Sequence, residues 1–247
     1  MTLCIDFFYV NGIPLLHTIS RSFKFRTVEE TTNRNQSTMV RGIKRAVQLY
    51  RARGLIVNNI HADNEFECCR AEIRPIQLDI AGVGMHVGEV ERYIRTIKER
   101  VRCTTHHLPF KRYPKIMTTG CVTYNIKRLN NLPADDGVSD TMSPNTLITG
   151  APGIEYKELT KLQFGDYVQV HQENTITNTN EPRSVGAIAI YPSGNAQGTW
   201  YFMSLNTGKR LHRRNWTVLP MGEEIITKVH LLAEKEGRSK VINNFNF

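Results

Sequence analysis

The chain opens on a nearly unbroken apolar run, LCIDFFYV (3–10), then Asn11-Gly12, then a second apolar run, IPLLHTI. Asn-Gly between two β-prone runs predicts a hairpin, because both residues accept positive φ. Pro14 weakens the second strand locally, since it cannot donate to a ladder. A third short strand is expected at Lys24–Val28. From Ser37 the apolar period changes from strand-like to helical. Val40, Ile43, Val47 and Tyr50 share one face, and Gly54 suits the cap beyond it. LIVNNIH (55–61) reads as a buried strand, EFECCRAE as a short helix and IRPIQLDI as another strand. Three strands, a helix and a strand predict an α/β layered domain on a mixed sheet.

GVGM (82–85) reads as a mobile loop, because two glycines in three residues are entropically costly to order. The helix after it is expected to bury Val90, Ile94, Ile97 and Val101. Its opposite face would carry Glu91, Arg95, Lys98 and Arg102. Pro114 suits the first position of another helix running towards Leu129. SPNTLITG (143–150) has a Ser N-cap, Pro next and Gly at its end, the marks of a short capped helix. The texture then changes. DYVQVH, RSVGAIAI, TWYFMSL, KRLHRR and TVL are short strands between turn-rich segments, which predicts a small all-β barrel. A helical patch, ITKVHLLAEKE, follows, and GRSKVINNFNF is expected to be loosely held.

Composition narrows the function classes. With 40% apolar residues among 247, there is material for a core. No run approaches the roughly 18 apolar residues that span a bilayer, and MTLCIDFFYV lacks the basic start of a secretory signal. No membrane partner is expected. Five scattered cysteines suit a reduced, intracellular compartment better than a disulfide framework. The net charge is +9, and between Glu91 and Arg128 ten Lys/Arg stand against two acids. Such a band is an electrostatic footprint for a polyanion, or equally a solvated helix face.

Three acids carry the candidate chemistry. Asp6 lies inside an apolar run, where an unpaired carboxylate would be buried at heavy cost. It needs a cation, a hydrogen-bond network, or a place on an edge strand facing solvent or a basic partner. Asp63 follows an apolar strand and could equally be an N-cap. Glu91 could equally pair with Arg95 one turn on. Acids at the carboxyl ends of parallel strands can converge on hard divalent cations, which take oxygen ligands. His106 and His107 near Cys103 lack the paired spacing of a structural zinc site, and His17, His61 and His86 read as core or loop histidines.

LCIDFFYVNG, HADNEF and HVGEVERYIRTIKER together resemble the three acid-bearing motifs of the retroviral and retrotransposon integrase core, an RNase H-like fold. SPNTLITG resembles the segment that closes this core in copia-type and gypsy-type elements. FGDYVQVH to TVLPM resembles the small barrel that follows it in copia-type polyproteins. The resemblance implies an RNase H-like mixed sheet flanked by helices over 1–150. It further implies a linker at 151–163, a β-barrel at 164–222, and a tail at 223–247 that is partly helical and then loosely ordered. It makes Asp6, Asp63 and Glu91 the metal-binding and catalytic acids, with Mg²⁺ or Mn²⁺ as cofactor. Arg92, Arg95, Lys98 and Arg102 become DNA contacts. The implied activity is DNA 3′-end processing and strand transfer by a homo-oligomer acting in the nucleus on element ends and target DNA. The chain then reads as a piece of a polyprotein. Two departures stand out: Glu65 replaces the family's usual Gly, and the 27 residues between Asp63 and Glu91 are fewer than usual. A decayed or co-opted DNA-binding copy and an RNase H-like nuclease are the rival readings. Lys209, Arg210, Arg213, Arg214 and Trp216 are either a second grip on DNA or the rim of an ordinary barrel.

Overall fold

The computed structural model describes residues 1–81, 88–151, 153, 161–172, 180, 182–195 and 197–238, with only the backbone of Glu89. The expected GVGM loop, most of the 151–163 linker and the end of the tail lie outside the described residues. The chain forms two compact units, Met1–Arg100 with Asn125–Glu155, and Val101–Tyr124 with Tyr156–Asn246.

The first unit is built on a mixed five-stranded sheet. β1 (Thr2–Val10) and β2 (Ile13–Ser20) form the hairpin around Asn11 (φ 50°) and Gly12 (φ 75°). β3 (Arg26–Glu30) adds to β2, two residues later than the sequence suggested. α1 (Gln36–Arg51) crosses over to β4 (Asn59–Ala62), then a six-residue 3-10 helix (Asn64–Cys69) leads to β5 (Gln77–Ile80). The order is β3-β2-β1-β4-β5, with β1–β3 antiparallel and β4 and β5 parallel to β1. This is the expected RNase H-like sheet. Only the end of LIVNNIH pairs as strand, because Leu55–Asn58 runs as the lead-in from the helix.

Alternation puts Leu3, Ile5 and Phe7 on one side of β1, where they join Met39, Val40 and Ile43 of α1 and Ile60 and Ala62 of β4 in a closed core. Each fully buried side chain of this kind contributes about 1.5–3 kcal/mol. α2 (Gly88–His106) buries Val90, Ile94, Ile97 and Val101, as its period requires. α3 spans Lys115–Asn130. The carbonyl of Pro114 accepts the N–H groups of Met117 and Thr118, so Pro114 caps this helix instead of opening its first turn. α4 (Pro144–Thr149) has the anticipated caps: Ser143 accepts from the Thr146 N–H, and Gly150 is left-handed (φ 67°).

The second unit contains β6 (Tyr167–His171), β7 (Ser184–Pro192), β8 (Trp200–Ser204), β9 (Arg210–Arg213) and β10 (Trp216–Val218), then α5 (Glu223–Lys235). All five strands pair antiparallel in the order β10-β6-β7-β8-β9. β10 and β8 are three steps apart, about 14 Å in a flat sheet. The Trp216 ring is nevertheless 5.6 Å from Phe202 and 6.5 Å from Trp200. The sheet must therefore curl on itself, and Trp216 helps close its interior. α5 buries Ile225, Val229 and Ala233, so this part of the tail is a packed helix.

Residues 101–124 cluster with the barrel, whereas the sequence reading assigned them to the 1–150 core. Within this unit α3 packs closely on β7 at Gly120. A Cβ there would lie 2.0 Å from Cγ2 of the fully buried Ile190 on β7. A β-branched side chain held at χ1 cannot swing aside. Gly120→Ala gains about 1 kcal/mol of helix propensity but overpacks the contact by about 1–3 kcal/mol. We expect a net loss of stability in denaturant unfolding; an unchanged or raised midpoint would show that α3 does not press on β7.

Candidate active site

The site grows from the pairing of β1 with β4. The two strands run parallel with Cys4 level with His61. Two residues further along each stand Asp6 and Asp63, the latter just past the end of β4. In-register positions of parallel strands project from the same side of the sheet. Asp63 has the extended backbone of an N-cap to the 3-10 helix, yet its side chain makes no capping hydrogen bond.

Asp6 is half-buried. Its carboxylate accepts the N–H of Phe7 at 2.6 Å. Burial, and then the charge of Asp63, raise its pKa from the ordinary 3.8 to about 6; Glu91 adds in the same direction. The Phe7 N–H and the Arg34 guanidinium oppose them without prevailing. Both other acids singled out from the sequence therefore act electrostatically on Asp6, Asp63 more strongly than Glu91. Among the described residues, no group of three or more His, Cys, Asp or Glu could hold a metal ion by itself. Mg²⁺ asks for fewer protein ligands than that, since it retains waters and takes one or two carboxylates plus substrate phosphate oxygens. The raised proton affinity of Asp6 also marks a place where added positive charge is favoured.

Three residues that the sequence did not assign to the site lie around it, among them His17, a core histidine as expected. Arg34, in the loop before α1, forms an ion pair with Glu65. It also donates to the Tyr9 hydroxyl at 3.0 Å and lies 5.1 Å from the centroid of the Phe7 ring. Phe7 in turn stacks on Phe66 at 5.5 Å. The Glu65 that departs from the family pattern thus ties Arg34 to the segment carrying Asp63. His17, cross-strand from Asp6, is fully buried, and its Nδ1–H donates to the Thr27 carbonyl at 2.9 Å. Burial lowers its pKa to about 4, so at neutral pH it brings no positive charge to Asp6. Tyr93 packs under the cations of Lys24 (5.4 Å) and Arg26 (5.1 Å), which ties the N-terminal half of α2 to the β2–β3 region, and the neighbouring Arg92 lies 5.4 Å from the same ring. Arg34 and His17 carried no periodic signal; Tyr93 was visible only as the aromatic that follows Glu91-Arg92.

The other singled-out side chains divide. Arg92 is exposed and donates to Asp136 at 2.9 Å. Arg95 is exposed and Lys98 half-buried, both on the Glu91 side of α2, while Arg102 belongs to the second unit. His61 faces Asp79 of β5, with Nε2 3.5 Å from Oδ2. His86 lies outside the described residues.

No protein-family profile and no curated protein matches the chain. Among solved structures it is similar to the catalytic core domain of BIV integrase, at 14% identity and a TM-score of 0.43. That likeness covers 60% of this chain and 93% of the other.

An acid with a higher proton affinity in the folded chain takes up a proton on folding. Its contribution favours the native state below about pH 4 and is lost as pH rises through about 6. About two pKa units would be about 3 kcal/mol, which partial solvent exposure reduces to about 1–2 kcal/mol. Asp6→Asn is expected to stabilise the metal-free protein by that amount at pH 7 and by nothing near pH 4. Thermal unfolding in chelator at the two pH values checks it, and equal differences at both would contradict the crowding of carboxylates at this edge.

Proposed function

We propose that this protein is an integrase-type DNA strand transferase derived from a copia-type retrotransposon. The observation that carries the reading is that the charges of Asp63 and Glu91, distant in sequence, both act on the half-buried Asp6. The strand order and the three ordered motifs support it. Asp6 and Asp63 would hold divalent metal and Glu91 would complete the set. When bound, Mg²⁺ or Mn²⁺ supplies the Lewis acidity for in-line displacement at a DNA phosphodiester. The protein's own part is to present oxygen ligands from a rigid sheet and to hold a DNA strand against them. Arg95 and Lys98 would neutralise phosphates beside Glu91, and Arg102 would extend that contact. Arg92 can join them only by leaving Asp136. Binding of this kind is salt-dependent and largely indifferent to sequence. Two DNA ends must be held at once, so a homo-oligomer is part of the proposal, as is action in the nucleus.

The experiment is a Mg²⁺-dependent strand-transfer assay on duplex DNA, with Asp63→Asn beside the parent. Joined products that vanish in Asp63→Asn, with DNA affinity largely kept, are expected. DNA binding with no chemistry in the parent would favour a co-opted or decayed copy, and cleavage without joining an RNase H-like nuclease. Equal activity in parent and variant would remove Asp63 from the site.

A further inference from the structure

The barrel carries a second feature unrelated to the acids. Residues 183–222 contain five Lys/Arg and no Asp or Glu. Within this acid-free stretch, Tyr191 on β7, Tyr201 on β8 and His212 on β9 are direct cross-strand neighbours. Trp200 and Phe202 alternate with Tyr201 and are buried, so Tyr201 stands on the outer face. The Tyr191 and Tyr201 rings are 5.0 Å apart. Tyr201 and His212 stack at 4.6 Å with 22° between their planes. The stack is held from both sides. Arg210 lies 4.8 Å from the Tyr201 centroid and donates to the Tyr191 hydroxyl at 3.2 Å. Thr199 Oγ1 and His212 Nε2 are 2.5 Å apart. His212 itself is exposed at this end of the stack.

Aromatic cross-strand pairs also stabilise ordinary sheets. Stabilisation alone, however, explains neither why the stack ends on an exposed ring nor why the stretch that carries it holds cations and no acid. Stacked π faces beside exposed Lys209, Arg210 and Arg214 suit a polyanion whose bases are free to stack. A duplex hides those faces and offers phosphates and base edges instead. We propose that the outer face of β7, β8 and β9 binds an unpaired DNA strand, its bases extending the Tyr201–His212 stack and its phosphates meeting Arg210 and the exposed Lys209 and Arg214. This concerns the barrel alone and needs none of the acids, so it stands or fails separately from the strand-transfer reading.

The test measures fluorescence anisotropy of the full chain with a labelled oligothymidylate and with a blunt duplex of equal length, in chelator at low salt. Tyr201→Ala/His212→Ala is expected to lose single-strand affinity on the order of 10-fold or more and to keep its duplex affinity. Tyr201→Phe, which retains the π face, is expected to bind as the parent does. His212→Ala alone, at an exposed position, gives the same selective loss in a barrel whose unfolding transition matches the parent's. An unchanged single-strand affinity in a folded variant, or an equal loss for duplex and single strand, overturns the proposal.

Discussion

The parallel pairing of β1 with β4 is the constraint from which the site follows. With Cys4 level with His61 as the last paired positions, Asp6 and Asp63 each stand only two residues further along, which keeps them at the same end of the two strands. Burial first, and then the charge of Asp63, raise the pKa of Asp6 to about 6. Slipping one strand by a single residue would relieve the repulsion. It would also turn Leu3, Ile5 and Phe7 away from α1, and the core contacts forfeited outweigh the electrostatic gain. Packing therefore holds like charges together, which is how protein scaffolds store unfavourable electrostatics at functional sites.

Two further contacts keep the arrangement from relaxing. Arg34 stands between Glu65 and the rings of Phe7 and Tyr9, close enough to moderate Asp6 without neutralising it. Tyr93 of α2 packs against the cations of Lys24 and Arg26, both buried. Lys24 adopts a left-handed backbone (φ 55°) in the tight connection from β2 to β3, where its N–H donates to the Ser20 carbonyl, a conformation that a residue with a Cβ takes only when its surroundings over-determine it. The strain and the carboxylate crowding lie in the same unit as the core that sustains them.

The barrel solves a different problem. Its edge strands β9 and β10 would expose unpaired backbone in an open sheet. The curl brings Trp216 of β10 onto Trp200 and Phe202 of β8, so side chains from one edge strand help fill the interior. Of the two roles the sequence left open for Trp216, the structure supports the packing one. The surface consequence is that aromatic rings excluded from this interior stand together outside, on β7, β8 and β9.

Much of this was legible in the chain itself, because hydrophobic period, turn chemistry and capping are local. The Asn11-Gly12 hairpin, the buried face of α2, the Ser143 and Gly150 caps and the five strands of the barrel all follow from residues that lie near one another in sequence. Asp6 could be singled out for the same reason, as a charge in an apolar run. Arg34, His17, Tyr93 and the grouping of residues 101–124 with the barrel could not. Each depends on a partner far along the chain: Glu65, Thr27, Arg26 and Ile190. Local pattern determined which elements form and which acids they carry. Only the tertiary structure decided what stands beside each acid, because burial and charge proximity are set by register and packing between segments that the linear order keeps apart.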